Sequence, residues 1–590
     1  MRLTLAFLLA LLLYLCLYRR DALDIAPAIS LLILEDAVVA FPNFRNKPLC
    51  PQESPLLARK HQLLWRATKR LFSTRAFVNR TAELLGGAVR IQTEVYDVME
   101  PVGEDPRWDT FSALHDYLVQ AFPLTHTIPV LTKVNTYGLI YVWQGSDDSL
   151  KPLLLTAHQD VVPVEPNTIS NWTHPPYSGY FDGTRIWGRG SADDKNGLIG
   201  ILTAVEVLLE RRFTPARTVV LAFGFDEEAT GQQGAYHIGK YLLDVYGKNA
   251  FAMLIDEGDP IKDTYGIPLA RPAVSEKGYF DLEIEVSASG GHSSVPPRHT
   301  AIGIISSLLV AYEAAAPASR LTRTSLAFTH AECLAAHAPD LPRALRASIR
   351  AARTSDAALR RVGAALFADS PALAAGERTT QAADIVWGGV KSNALPETAG
   401  AVVNHRIAID SSVVALKNYT SAVLAPVAES LNLSFSPFPE DTPETLSTAG
   451  GNHTVVVKES AGRVLLSDAF GTALEPAPVS PTDSAQWRVL AGTIRAAWPI
   501  GDERSASSEE GSQAESGIIV VPSLLAGNTD TQFYWALTQH IFRYNHYYAR
   551  AGSADGSIHT VDEACDAQAL VGMVQFFVGL ILNADESTDM

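Results

Sequence analysis

Between His158 and Glu257 the chain sets imidazole and carboxylate groups at the ends of short apolar runs. Leu153-Leu154-Leu155-Thr156-Ala157-His158-Gln159-Asp160 closes on a His-x-Asp pair. Asp193 follows inside Gly188-Arg189-Gly190-Ser191-Ala192-Asp193-Asp194-Lys195-Asn196-Gly197, and Glu228 inside Phe223-Gly224-Phe225-Asp226-Glu227-Glu228. Leu254-Ile255-Asp256-Glu257-Gly258 comes next. One histidine with several carboxylates and no thiol nearby is a nitrogen and oxygen donor set that suits Zn²⁺. Side chains i and i+2 of a strand face the same way, so Asp160 can accept the second ring N–H of His158 and fix its orientation. Asp193 is a candidate bridge between two cations about 3.5–4 Å apart, the spacing of two-metal hydrolytic sites. Glu227 and Glu228 are adjacent and so suit different tasks, one as a ligand and the other as a general base toward bound water. A single His-x-Asp or Glu-Glu pair is commonly a solvated loop end. Four such elements in order, most of them closing an apolar run, are a far more specific signal.

The segments TAHQDVVPV, WGRGSADDKNG, FGFDEEATG and LIDEG resemble the aminoacylase/carboxypeptidase family of di-zinc peptidases, and within it the fungal vacuolar carboxypeptidase S (Gly-Xaa carboxypeptidase) branch. The similarity runs over roughly residues 90 to 580. The resemblance implies two Zn²⁺ per subunit, with His158, Asp193 and Glu228 as ligands, Asp160 orienting the histidine and Glu227 as the base. It implies Asp256 as a further ligand, with Glu257 the alternate, and His559 in His559-Thr560-Val561-Asp562-Glu563 as the last. His292, after Gly290-Gly291, matches a lid histidine that reaches into the partner subunit's pocket and stabilises the developing oxyanion. Asn393 and Arg406 match lid residues that contact substrate. A cis peptide between Asp193 and Asp194 is also implied. Departures from the family pattern are small: Asp194 stands at a variable position and Asn196 replaces a common glycine. The expected activity is hydrolysis of the C-terminal amide of small peptides with a free C-terminus. The alternatives are an aminoacylase-like hydrolase of N-acyl amino acids and, in another class, a non-catalytic lumenal binding protein, against which the intact Glu227 argues.

Elements must carry these groups to one place. The apolar pattern predicts strands over 139–143, 153–157, 219–225 and 251–255, with a crossover helix over 197–211 and helices over 51–85 and 108–122. Alternation of this kind predicts an α/β catalytic domain with a mostly parallel sheet flanked by helices, whose active site lies beyond the strands' carboxyl ends. From Tyr279 the pattern changes to strand, helix (300–315), strand (399–408), helix (413–431) and strand near Leu433. That order suggests an inserted ferredoxin-like α+β domain, which the resemblance identifies as a lid and dimerisation domain. Ala331 to Ala375, rich in alanine and arginine, reads as a helical elaboration of the lid. The chain returns to the catalytic layer with a helix over 486–498 and a strand over 517–521, and Leu570 to Leu582 reads as a terminal core helix. The expected domains are 1–45 (signal anchor and linker), 46–275 and 476–590 (catalytic), and 276–475 (lid).

The 590 residues suffice for two cores, and a net charge of −17 argues against a nucleic-acid partner. Leu3 to Tyr18 is almost wholly apolar between Arg2 and Arg19-Arg20, and it reads as an uncleaved signal anchor. Sequons at Asn79, Asn171, Asn418, Asn432 and Asn452 place the bulk of the chain in a lumen. The basic flank points the other way, but long domains translocate largely regardless of flanking charge. The resemblance makes that lumen the vacuole. Four cysteines (Cys16, Cys50, Cys333 and Cys565) are too few for a disulfide framework and do not reveal their pairing.

Overall fold

In the computed structural model the described residues are 48–439, 460–498, 517–549 and 558–590. The anchor over 3–18 and the Asn452 sequon lie outside them. Strands β1 (Val130–Val134), β2 (Gly138–Trp143), β3 (Leu153–His158), β4 (Val219–Gly224), β5 (Met253–Asp256) and β6 (Ala273–Glu276) belong to the central sheet. The chain then forms β7 (Gly278–Ala288), β8 (Thr380–Gly388), β9 (Thr398–Ile407), β10 (Ser434–Pro437) and β11 (Gly462–Asp468) in a second sheet. It comes back to the first with β12 (Ser523–Leu525) and β13 (Ile541–Arg543).

The central sheet has the order β1-β2-β4-β3-β5-β13-β6-β12. Its middle is parallel: β3 pairs with both β4 and β5, and β13 continues beyond β5. The β1–β2 and β2–β4 pairings make an antiparallel edge. Every residue of β3, β4 and β5 is buried, as a sheet covered by helices on both faces requires. The helix Lys195–Glu210 covers one face with Leu198, Ile201, Leu202, Val205 and Leu208 and packs against the terminal helix Ala567–Glu586. That terminal helix is apolar enough to cross a membrane, but 94% of its most apolar window is buried in the protein, which makes it a core helix. The run expected to be helical from Pro51 is two helices, Gln62–Phe72 and Arg75–Val89, because the Thr74 hydroxyl caps a new start at the Phe77 amide.

The second sheet has the order β8-β9-β7-β11-β10. Its first four strands pair antiparallel in a ferredoxin-like arrangement, with the short β10 added parallel to β11. Helices Ala301–Ala314 and Val413–Ser430 cover one face. There Phe280, Leu282, Ile284 and Val286 of β7 meet Ile304, Ile305 and Leu308 from one helix and Leu416 and Leu424 from the other.

One expectation is corrected. The alanine-rich stretch is helical, as Leu326–His337, Arg343–Ala352, Asp356–Asp369 and Pro371–Gly376, but it is not built onto the lid core. Its buried face (Phe328, Leu334, Ile349, Val362) shares a cluster with Ile267, Leu269, Ile519 and Val521, which belong to a small sheet beside the catalytic layer or directly follow its strand Ile519–Val520. Apolar partners far away in sequence decide which layer the helices join. A disulfide between Cys50 and Cys333 ties the insert to the beginning of the catalytic chain, while Cys565 is buried. All described residues from Leu49 onward fall within one compact unit.

Candidate metal centre

Because β3, β4 and β5 run parallel, their carboxyl ends meet at one edge of the sheet, and each end carries a polar group that the strand itself cannot bury alone. His158 is the last residue of β3. Its Nδ1 faces Asp160 Oδ1 at 3.3 Å, and its Nε2 faces Asp193 Oδ1 at 3.2 Å. The other oxygen of Asp193 faces His559 Nε2 at 3.2 Å. Glu228 Oε1 stands 3.1 Å from the same His559 nitrogen. One carboxylate thus presents its two oxygens to two imidazoles, and each imidazole has a further carboxylate beside it.

Asp160 acts twice. Besides lying along the His158 ring, it accepts the backbone N–H of Glu228 at 2.9 Å, so it also fixes the turn that carries the Glu-Glu pair. That turn is a short 3-10 helix, Glu227–Ala229, ended by Thr230 at φ 79°. Asp226 holds its far side by accepting the amides of Gln233 and Gly234. Donor atoms of His158, Glu227 and Glu257 lie within 4.8 Å of one another, as do those of His158, Asp193 and Glu228.

Of the two candidate carboxylates after β5, the structure brings Glu257 rather than Asp256 to the cluster. Glu257 Oε1 is 3.7 Å from His158 Nε2. Asp256, the last strand residue, turns aside and accepts the Thr156 hydroxyl at 2.7 Å. The reason is alternation: neighbouring residues at a strand end point to opposite sides, and only one side holds the cluster. The Asp193–Asp194 peptide is cis.

The electrostatics are those of a site built for cations. Burial pushes the Glu227, Glu257 and Asp194 carboxyls well above the usual carboxylate range, and neighbouring carboxylates add to it. Burial depresses His158, but Asp160 and Glu257 raise it well above the ordinary value. Asp193 and then Glu228 hold His559 up to about 10. Among the described residues, Asp194 Oδ1 and Oδ2 and Asp256 Oδ2 are buried without hydrogen-bond partners. So many buried anionic groups around two imidazoles need an opposite charge. The donor set, imidazole nitrogen and carboxylate oxygen without a thiol, fits Zn²⁺.

Sequence reasoning left several residues around this centre without a role. Glu563 accepts the Ala192 amide at 2.9 Å and pairs with Arg189 at 2.6 Å, joining the His559 segment to the Asp193 loop. Its place four residues after His559 was the available signal. Lys195 is fully buried and donates to the Ala88 and Ile91 carbonyls. Burial lowers its ammonium to about 7. Asp530, also buried, lies against Gly224 and Gly231, where any side chain would collide with its carboxylate.

The lid residues are placed differently. His292 and Asn393 lie on a two-stranded ribbon, Gly291–His292 with Ala394–Leu395, where the Ser293 amide donates to the Asn393 carbonyl. Both side chains are exposed, and the His292 ring bonds only Ser294 among the described residues. Arg406, on β9, reaches its own chain's catalytic layer. It donates to Asn528 Oδ1 at 2.7 Å and its guanidinium lies 4.8 Å from the centroid of the Tyr279 ring. Among the described residues, neither His292 nor Asn393 shares a side-chain hydrogen bond with Arg406 or the metal cluster.

Comparison with known proteins agrees with this geometry. Residues 154–583 match Peptidase family M20/M25/M40. The chain is 37% identical to carboxypeptidase S of Saccharomyces cerevisiae over 527 residues, covering 87% of this chain and 85% of that protein. It is 30% identical to the mouse N-fatty-acyl-amino acid synthase/hydrolase PM20D1 over 516 residues, covering 85% and 87% respectively. Human carnosine dipeptidase 1 shares the fold at a TM-score of 0.54 and 14% identity, over 88% of this chain and 99% of that structure.

Proposed function

The chain belongs to Peptidase family M20/M25/M40 and is a metallocarboxypeptidase, and on that premise we propose a di-zinc enzyme that removes the C-terminal residue of small Gly-Xaa-type peptides. The observation that carries the two-metal reading is Asp193, whose oxygens face His158 and His559 separately. His158, Asp193 and Glu257 would hold one cation, and His559, Asp193 and Glu228 the other. Bound there, the pair supplies Lewis acidity toward the scissile carbonyl and lowers the pKa of water.

The protein's own groups do the rest. Glu227 sits within the cluster beside Glu257, and burial raises its proton affinity, which suits a group that must take a proton and give it back. It takes the proton of the attacking water and passes it to the leaving amine. Asp160 holds His158 in one orientation throughout. Arg406 suits recognition of the substrate's free carboxylate, because a planar guanidinium offers paired charge-assisted hydrogen bonds. Asn393 would join it on the substrate, and His292 would donate to the developing oxyanion. His292 and Asn393 are exposed on their ribbon, and this reading has them supplied by the partner in a homodimer. Ile385 and Val386 on β8, an edge strand of the lid sheet, are exposed as an interface strand would be.

A vacuolar lumen and an N-terminal membrane anchor complete the proposal. Asn79, Asn171, Asn418 and Asn432 are all exposed, and a disulfide persists in an oxidising compartment. The similarity to an N-fatty-acyl-amino acid synthase/hydrolase favours a second reading, hydrolysis of N-acyl amino acids at the same centre.

A matched substrate set separates the two. Purified enzyme is given an N-blocked Gly-Leu, its C-terminal amide and N-lauroyl-leucine. The proposal expects kcat/KM for the free-carboxylate dipeptide to exceed that for the amide by about 100-fold or more, the effect of leaving a charged recognition group unpaired. Equal cleavage of acid and amide overturns the carboxypeptidase reading, and preference for the lauroyl substrate selects the second.

A further inference from the structure

We propose that the cavity between the alanine-rich helices and the catalytic layer binds an organic carboxylate with an apolar tail, separately from the metal centre. The cavity holds about 500 Å³, within the roughly 300–1,000 Å³ of small-molecule sites. Leu326, Leu334, Leu366 and Leu373 line it from the helical insert, and Leu524 and Leu525 from β12. No lining residue belongs to the metal cluster.

Its polar groups decide the ligand's charge. Arg271 Nε is buried and has no hydrogen-bond partner among the described residues. The carboxylate beside this guanidinium, Asp259, approaches only to 3.5 Å. His330 shares the wall, and its ring makes no hydrogen bond among the described residues. Burial and the nearby Arg271 keep its imidazole neutral, down to about 4. The acidic groups of the lining are already engaged. Asp369 accepts the Tyr265 hydroxyl at 2.9 Å, and burial raises the Glu377 carboxyl although the Ser325 hydroxyl and the Ala327 amide bond it at the start of the helix Leu326–His337. The unmet hydrogen-bonding capacity is therefore that of donors beside an apolar surface. A buried guanidinium donor left unpaired is costly. A planar carboxylate satisfies it with charge-assisted bonds while the leucines take the tail.

The cavity also adjoins the catalytic machinery along the chain. Asp259 follows Glu257 by two residues, and Gly527 immediately precedes Asn528, which holds Arg406. Occupancy can thus be felt by both loops without touching the reacting atoms.

Calorimetric titration of decanoate into the metal-loaded, full-length enzyme tests this, with a phosphinic dipeptide analogue occupying the metal centre. Saturable binding at one site is expected. Decanol and decylamine should bind about tenfold or more weakly than decanoate, as loss of a charged pair predicts. Arg271→Gln should weaken decanoate by a similar factor while leaving turnover of the blocked dipeptide unchanged, which also reports an intact fold. Leu373→Trp, narrowing the cavity, should abolish binding. No saturable binding, displacement by the phosphinic analogue, unchanged affinity in Arg271→Gln, or tighter binding of decylamine would each overturn the proposal.

Discussion

Asp193 accounts for most of the logic of the centre. A carboxylate that faces one imidazole with each oxygen can keep two cations close, and Glu257 and Glu228 extend the two groups on either side. The motifs that carry these residues are legible in the sequence because most of them end or follow a run that must be buried. The choice between Asp256 and Glu257 is not. It depends on which side of β5 faces the cluster, and an apolar strand buried on both faces carries no mark of that. This gives a test at single residues. Glu257→Gln should lower affinity for one of two bound metals by about 10–100-fold or more, the least expected when even an outer partner of a metal ligand is removed. Asp256→Asn, which keeps a group able to meet Thr156, should retain both metals. Metal content after dialysis against graded chelator reads the difference, and the reverse pattern would make Asp256 the ligand.

At the level of elements, the junction between β6 and the lid and the ribbon of His292 and Asn393 are held differently. Glu276, the last residue of β6 before the lid, is fully buried and is met by Thr529, Thr531 and Arg543. The strand that leaves for the lid is thus bound to the loop that carries Asp530. Among the described residues, His292 and Asn393 on their exposed ribbon make no such tie to the catalytic layer. If the partner subunit uses them, mixing inactive His292→Ala with inactive Glu227→Gln should restore up to about a quarter of wild-type turnover by random subunit exchange, because heterodimers contain one complete pocket. Subunit exchange verified by mass spectrometry with no recovered turnover would show that each chain completes its own site. The ferredoxin-like order of the lid is legible from strand and helix periodicity. The seating of the alanine-rich helices is not, since Ile267, Leu269, Ile519 and Val521 lie in segments remote from them along the chain.

Across the whole molecule, Cys50 and Cys333, 283 residues apart, close the catalytic layer around the insert. Four cysteines in a sequence leave this pairing open, and only the packing of the helix Leu326–His337 brings the two together. Cys333→Ser should lower stability by about 2–4 kcal/mol, as loss of a native disulfide commonly does. Denaturant unfolding followed by fluorescence should then match wild-type protein under reducing conditions, and a variant as stable as the oxidised wild type would deny the bridge a structural role. The proposed hydrolysis depends on a proton-carrying glutamate beside a metal pair. Its most direct test is Glu227→Gln, with metal content and turnover of an N-blocked Gly-Leu measured on the same preparation. Two metals per chain and a kcat lower by about 10²–10⁴-fold or more are predicted, the range lost when a general base is removed. Turnover at the wild-type rate with both metals bound would contradict it.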